Sequence, residues 1–240
     1  EAYFLRALHY FNLVKCFGGV SLHVLPTESE SQSAMARSSR DQVYAQIESD
    51  LSRAESMLPA TFGAITIDRT RATKGAVNAL QAKVYLYERK WSLSVAAAAK
   101  VISNTNYGSG LATPYANLLP FKNNQESIFE VQYAGTDDGG FTLPDLVLPS
   151  PPASYSFPKY DIPTQELMNS VDTTNDARWK NMGAVPGGTS YTSAIFGNGG
   201  DPNDDGWFIY KWRSTNFFAS EDNYPLLTLD DTYLMYAEAA

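Results

Sequence analysis

Five large aromatic side chains lie in or beside segments rich in Gly, Pro, Asn and Asp: Trp179, Tyr191, Trp207, Trp212 and Tyr155. A flat aromatic ring stacks on the apolar face of a sugar, while amide and carboxylate groups bind the sugar hydroxyls. Asn203 and Asp205 supply such polar groups close in sequence to Trp207. These seven residues therefore form a candidate carbohydrate-binding site, with Trp207, Trp179 and Tyr191 as the expected stacking platforms.

The same aromatic residues have a second interpretation, as ordinary core. Large aromatic side chains are buried on average. Trp207 and Trp212 are five positions apart, so they can lie on opposite faces of one strand. The sequence leaves both interpretations open for each residue.

The segment DPNDDG at residues 201–206 matches the first half of a calcium-binding loop. In such a loop, oxygen ligands at alternate positions (here Asp201, Asn203 and Asp205) converge on the cation, and a glycine allows the sharp turn. The twelfth position is Trp212 instead of the closing glutamate. This departure favours a plain acidic turn over a metal site.

Catalytic signatures are missing from the sequence. It contains no G-x-S-x-G, H-E-x-x-H, P-loop or G-x-G-x-x-G motif, and Cys16 has no evident base partner. His9 and His23 are the only histidines and make no metal site by themselves. We therefore predict a protein that is not an enzyme and needs no cofactor, although two carboxylates of a glycosidase can hide among 26 acidic residues.

Composition indicates a folded acidic protein. The chain has 240 residues, 44% of them hydrophobic, and a net charge of -8. Such a length buries a substantial core, and the negative charge repels a phosphate backbone, so nucleic acid is not an expected partner. The longest apolar stretches fall far short of the roughly 20 residues that span a bilayer.

Helical periodicity dominates the two ends of the sequence. Four segments carry apolar stripes or small-residue faces: residues 2–14, 43–58, 74–103 and 232–240. Ser39 and Gln42 form a predicted capping box before the second segment, and Thr73 is the predicted N-cap of the third. That third segment turns at Lys90 and Trp91, which predicts an αα-hairpin.

The hairpin carries small residues where two antiparallel helices meet in a tetratricopeptide (TPR) repeat. Ala82 and Tyr85 on its first helix, with Ser94 and Ala98 on its second, match the repeat positions.

The middle of the chain lacks this helical periodicity. Residues 128–133 alternate as a half-buried strand, residues 144–163 hold too many prolines for a regular element, residues 183–206 form a glycine-rich loop, and residues 207–212 alternate as a strand. Residues 27–39 and 62–71 are expected to be loops, and residues 164–171 a short helix.

Four blocks resemble the SusD/RagB family of Bacteroidetes outer-membrane lipoproteins. They are EAYFLRA through FGGV at residues 1–20, RATKGA with AKVYLY at 71–87, ESIFEVQ at 126–132 and YLMYAEA at 233–239. The blocks occur in family order across nearly the whole chain. One departure is the stretch from Leu227 to Asp230, where relatives usually carry an arginine.

The resemblance implies a lipid-anchored protein on the extracellular face of the outer membrane. Such a protein binds oligosaccharide or polysaccharide and delivers it to a SusC-like TonB-dependent transporter. It also implies that this chain is a piece truncated at both ends, without the signal and anchor. The alternative is a TPR-type scaffold that binds only another protein, although its aromatic, glycine-rich half argues against a scaffold made of helical hairpins alone.

The predicted architecture is mainly α, with TPR-like helical hairpins packed beside an irregular, short-strand, ligand-binding half. The helical parts are residues 1–110 and 226–240, and the strand- and loop-rich part is residues 111–225.

Overall fold

The computed structural model describes residues 1–104, 106, 110–112, 122–135, 140, 142–147, 160, 164–170, 172, 175, 195–197, 207–209, 220 and 222–240. The chain divides into two compact units, one formed by Glu1–Tyr107 with Leu227–Ala240 and the other by Gly108–Leu226. The described helices are α1 Ala2–Phe17, α2 Glu30–Ser33, α3 Arg40–Met57, α4 Ile65–Thr70, α5 Lys74–Tyr87, α6 Trp91–Ile102, α7 Leu143–Val147, α8 Gln165–Ser170 and α9 Leu229–Ala239. The described strands are β1 Ser127–Val131, β2 Ile195–Gly197, β3 Trp207–Ile209 and β4 Tyr224–Thr228.

Helices α1 and α3 pack together through their predicted stripes. The buried residues are Phe4, Ala7, Leu8, Phe11 and Val14 on α1 and Val43, Tyr44, Ile47, Leu51 and Ala54 on α3. Each fully buried aliphatic side chain of this kind contributes about 1.5–3 kcal/mol of transfer free energy. Helix α1 ends at Gly18, whose φ of 70° is a conformation that glycine adopts without steric cost.

The predicted capping box at the start of α3 is confirmed. The Ser39 hydroxyl accepts from the Gln42 backbone N–H at 3.2 Å, and the Ser39 backbone N–H donates to Gln42 Oε1 at 2.8 Å. The two bonds satisfy amide groups that the first turn of a helix leaves without a helical partner.

Helices α5 and α6 form the predicted αα-hairpin. The Thr73 hydroxyl accepts from the Ala76 N–H at 3.3 Å, which confirms its capping role. Ala82 and Ala98 are fully buried between the helices, and the Ser94 hydroxyl donates to the Ala82 carbonyl oxygen at 2.8 Å. The small side chains therefore let the two helices pack closely, as the TPR-like spacing predicted.

Helix α9 packs on this hairpin. Met235 joins Ala82, Ala97 and Ala98 in one buried cluster. Lys83 Nζ on α5 lies 2.8 Å from Asp231 Oδ2 on α9. The helices at the two ends of the chain thus belong to the same helical unit, and the mainly helical fold class is confirmed.

Two small sheets lie among the described residues of the chain. Strand β1 pairs with β4 in one sheet, and β2 pairs with β3 in the other. The second pair is antiparallel, with Ile195 opposite Ile209, Phe196 opposite Phe208 and Gly197 opposite Trp207.

Several local predictions for the loops were wrong. Residues 62–71 contain α4, where Asp68 accepts from the Thr61 hydroxyl at 2.6 Å and the Phe62 N–H at 2.5 Å. Residues 27–39 contain the single turn α2, and the predicted glycine-rich loop 183–206 contains β2. Helix α7 occupies part of the proline-rich stretch because Pro144 lies in its first turn, where a missing N–H costs no helical hydrogen bond.

The burial pattern of strand β1 also differs from the half-buried alternation predicted for residues 128–133. Residues Ser127 to Glu130 are all buried and only Val131 is exposed. A strand covered on both faces loses the inside–outside contrast that a period of two predicts.

Candidate functional site

The predicted stacking residue Trp207 begins strand β3, directly opposite Gly197 on β2. The connection between the two strands is residues 198–206, which carries the predicted polar residues Asn203 and Asp205. Trp207 therefore follows, in sequence, the stretch that holds them.

The other predicted site residues lie outside the described residues. These are Trp179, Tyr191, Trp212, Tyr155, Asn203 and Asp205, together with Asp201 of the weak calcium candidate. Their roles stay predictions. Within the described part of the chain, no group of three or more His, Cys, Asp or Glu side chains is placed to hold a metal ion.

A buried polar cluster in the second unit was not predicted. It joins Glu130 and Gln132 around β1 to Asn123 on the preceding turn and Asn223 just before β4. Glu130 is 2% exposed and Asn223 is fully buried. Asn123 has a φ of 53°, a left-handed conformation that asparagine tolerates better than most residues.

One carboxylate oxygen receives most of the donors in this cluster. Glu130 Oε2 accepts from Asn223 Nδ2 at 2.6 Å, from the Asn123 N–H at 3.1 Å and from Gln132 Nε2 at 3.2 Å. Asn123 and Gln132 also exchange a reciprocal pair of amide hydrogen bonds, each 3.1 Å long.

Asn223 completes the cluster by linking distant parts of the chain. Its Oδ1 accepts from the Tyr133 N–H at 3.1 Å, and its Nδ2 donates to Gln132 Oε1 at 2.8 Å. Chemically, this arrangement can fix the path of β1 and its flanking turn. Partners some 90 positions apart, such as Glu130 and Asn223, leave no local signal in the sequence.

A titratable cluster lies where α3 meets the turn of the helical hairpin. Lys90 Nζ binds Glu48 on α3 and lies 3.1 Å from Glu88 Oε1. Burial first, and the neighbouring Glu48 carboxyl second, raise the pKa of Glu88 to about 7. The Glu88 carboxyl therefore holds its proton to a higher pH than an ordinary glutamate does.

The helical unit also contains an open cavity of about 370 Å³ beside the loop after α1. We call it the loop groove. Its lining residues are Leu22, His23, Val24, Leu25, Pro26, Thr27, Glu28, Gln32 and Met35. The lining has no Trp, Tyr or Phe, so it differs from the aromatic site that the sequence predicts. The sequence predicts only a solvated loop for residues 27–39 and gives no sign of the groove.

His9 and Cys16 on α1 are both exposed. None of the described helices has both the length and the hydropathy that crossing a membrane requires.

Comparison with known families gives a match at the beginning of the chain. Residues 1–86 match a SusD-like family model described as "Starch-binding associating with outer membrane". SusD-like protein P25 of Formosa agariphila is 27% identical over 143 residues, which cover 59% of this chain and 26% of that protein.

Solved structures extend the likeness to the whole chain. A laminarin-binding SusD-like protein has a TM-score of 0.75 and 27% identity, and the match covers 100% of this chain and 58% of that one. A SusD superfamily protein from Parabacteroides distasonis has a TM-score of 0.72 and 26% identity, covering 100% of this chain and 54% of the other. The chain thus spans little more than half the length of these structures.

The match of residues 1–86 to a SusD-like family model and the likeness of the whole chain to solved SusD-like proteins support membership of the SusD-like family.

Proposed function

We propose that the protein containing this chain binds a glycan at the cell surface and delivers it to a SusC-like TonB-dependent transporter. The observation that carries the proposal is the likeness over the whole chain to a laminarin-binding member of the same family. The first glycans to test are therefore laminarin and its oligosaccharides, which are built of β-linked glucose.

Features of the second unit support a sugar ligand. The aromatic residues that can stack on a pyranose ring are concentrated there in sequence, beside amide and carboxylate groups. Trp207 begins strand β3 directly after residues 198–206, the stretch of sequence that carries Asn203 and Asp205. A net charge of -8 does not oppose the binding of a neutral glycan.

We infer binding without turnover. The sequence contains no G-x-S-x-G, H-E-x-x-H, P-loop or G-x-G-x-x-G motif, and the similar solved structure with a named ligand is a laminarin-binding protein. Hydrolysis of a bound glycan that disappears on replacement of a single carboxylate would contradict this inference.

We include the transporter and the lipid anchor in the proposal because the resemblance to the SusD/RagB family implies them. The described helical unit supports a lasting protein contact, because packed helices offer broad surfaces for a partner. We expect that unit, more than residues 144–205, to face the transporter. Cross-links from the transporter that map only to residues 144–205 would contradict the assignment.

An oligosaccharide array followed by calorimetry tests the glycan proposal. We expect saturable binding of laminarin or another neutral oligosaccharide and no release of reducing ends. A folded protein that binds no glycan on the array, yet captures the transporter, would instead support the protein-scaffold alternative.

A further inference from the structure

The loop groove presents aliphatic side chains to solvent. Leu25 is 79% exposed, Met35 47% and Val24 40%. Several exposed aliphatic side chains around one cavity are uncommon on a soluble surface and are typical of an interaction site. The cavity volume of about 370 Å³ lies within the range of natural binding pockets.

Side-chain bonds to the backbone hold the groove open. Arg6 Nη1 donates to the Val24 carbonyl oxygen at 2.8 Å, and the Tyr10 hydroxyl accepts from the His23 N–H at 2.6 Å. Ser21 Oγ donates to the Met35 carbonyl oxygen at 3.0 Å. A segment fixed in this way loses little further conformational freedom when it binds a partner.

The other end of the loop is fixed as well. Arg37 donates to the carbonyl oxygens of Gly19 and Phe17. A methyl group at Gly19 would overlap the carbonyl oxygen of Ser38, so only glycine allows this close approach. The groove is therefore built by residues from α1, from the loop and from the segment before α3.

Two acidic residues lie on the segment that forms the groove. Residues 16–36 contain Glu28 and Glu30 and no lysine or arginine. Glu28 and Glu30 are exposed and are not in an ion pair with any residue that the structure describes. Arg6 is paired with Asp50, while Arg37 donates to the carbonyl oxygens of Gly19 and Phe17 at the end of the loop and keeps its positive charge there. Glu28, which lines the groove, and Glu30 can therefore pair with a positively charged partner.

We propose that the loop groove binds an extended segment of a partner protein that carries an aliphatic side chain flanked by lysine or arginine. The aliphatic side chain fills the cavity beside Leu25 and Met35, and the basic side chains lie near Glu28 and Glu30. This proposal does not rest on glycan binding, because the groove lining has no Trp, Tyr or Phe for sugar stacking.

Methionine-methyl NMR on the full chain tests the proposal. Met35 lines the groove, while Met57 is 73% exposed outside its lining and serves as an internal control. Replacement of Met35 by leucine assigns the signal. The probe is the capped peptide Gly-Lys-Gly-Leu-Gly-Lys-Gly, compared with one carrying Glu for Lys and one carrying Ser for Leu.

We expect the Lys–Leu peptide to shift the Met35 methyl signal saturably and to leave Met57 unchanged. The Glu-containing peptide should bind about fivefold more weakly at low salt, and added salt should remove that difference. The Ser-containing peptide should bind about tenfold more weakly, because it has no side chain to fill the cavity.

Three protein variants complete the test. Leu25→Ser should weaken binding of the Lys–Leu peptide about tenfold, whereas Leu234→Ser, at a 68% exposed position on α9, should not change it. If Leu25→Ser fails to fold, Glu28→Gln replaces it in the test. This variant should weaken the binding of the Lys-containing peptides only. Three outcomes would overturn the proposal. The first is an equal shift of the Met35 and Met57 signals, and the second is equal binding of the Leu and Ser peptides. The third is a shift of the Met35 signal when a laminarin oligosaccharide is added in place of the peptide.

Discussion

Arg6 on α1 and Asp50 on α3 form a two-bonded ion pair, with Nε to Oδ2 at 2.7 Å and Nη2 to Oδ1 at 2.6 Å. The Asp50 side chain is fully buried, and Gln46 Nε2 also donates to its Oδ1 at 3.0 Å. Because Arg6 also binds the Val24 carbonyl oxygen, one guanidinium joins two helices and the loop after α1. The geometry is that of a bidentate arginine–carboxylate pair, which is stronger and more directional than a single ion contact.

The first prediction concerns this pair. Arg6→Ala should lower the free energy of unfolding by about 3 kcal/mol, because it leaves the Asp50 carboxylate buried without a counter-ion. Lys100→Ala is the matched control. Lys100 is 55% exposed in its pair with Glu55, and its loss should cost at most about 1 kcal/mol. Urea unfolding measures both, and similar costs for the two variants would contradict the prediction.

The second prediction concerns the pH dependence of stability. Burial beside Glu48 raises the pKa of Glu88 to about 7, above the ordinary glutamate value of 4.5 that the unfolded chain retains. Between these values the folded protein binds more protons than the unfolded chain, so its stability falls as pH rises from about 4.5 to about 7. The contribution is fully present below pH 4.5 and is lost above pH 7.

Thermal unfolding at a series of pH values checks this prediction. In the Glu88→Gln variant, whose side chain cannot ionise, stability should decline much less between pH 4.5 and 7 than in the unchanged protein. The exposed Glu238→Gln variant should keep it. Carboxyl NMR provides a direct reading, and titration of Glu88 near the ordinary value would show that the environment of this residue is wrongly assigned.

The third prediction concerns the close packing of the helical hairpin. Ala98 is fully buried against Ala82 and Met235, while Ala96 on the same helix is exposed. Ala98→Leu should therefore destabilise the protein by about 1–3 kcal/mol through overpacking. Ala96→Leu should be nearly neutral, since leucine and alanine are both good helix formers. Equal unfolding midpoints for the two variants would indicate that the helices have room at Ala98.

Local patterns in the sequence predict most of the helical unit. The stripes of α1 and α3, the Ser39 capping box and the Thr73 N-cap depend on residues three or four positions apart, and the structure confirms them. Small residues at Ala82 and Ala98 likewise predict close helix packing. These features follow from helix geometry alone, whatever the rest of the fold.

Long-range and irregular features are harder to predict. Helix α4 is only one and a half turns long, and a buried Asp68 ties it to the loop before it. The Glu130–Asn223 contact joins residues whose separation no periodicity records. The loop groove depends on arginines from two other segments that bind its carbonyls, which composition cannot show. For the candidate sugar site, the sequence predicts residue types, while the described structure adds only the register of Trp207.

The last prediction concerns the proposed sugar platforms Trp207, Trp179 and Tyr191. A ring stacked on a sugar contributes on the order of 1 kcal/mol or more beyond its buried area, by analogy with aromatic pairs. Replacing a true platform by alanine should weaken glycan binding about tenfold and leave the unfolding midpoint nearly unchanged. Trp91→Ala is the matched control, because Trp91 is 43% exposed on α6 in the helical unit, and this variant should bind glycan normally. Calorimetry and thermal unfolding on the four variants separate the interpretations: normal binding by all three platform variants, or unfolding of all three, would show that these residues are core and that the sugar binds elsewhere.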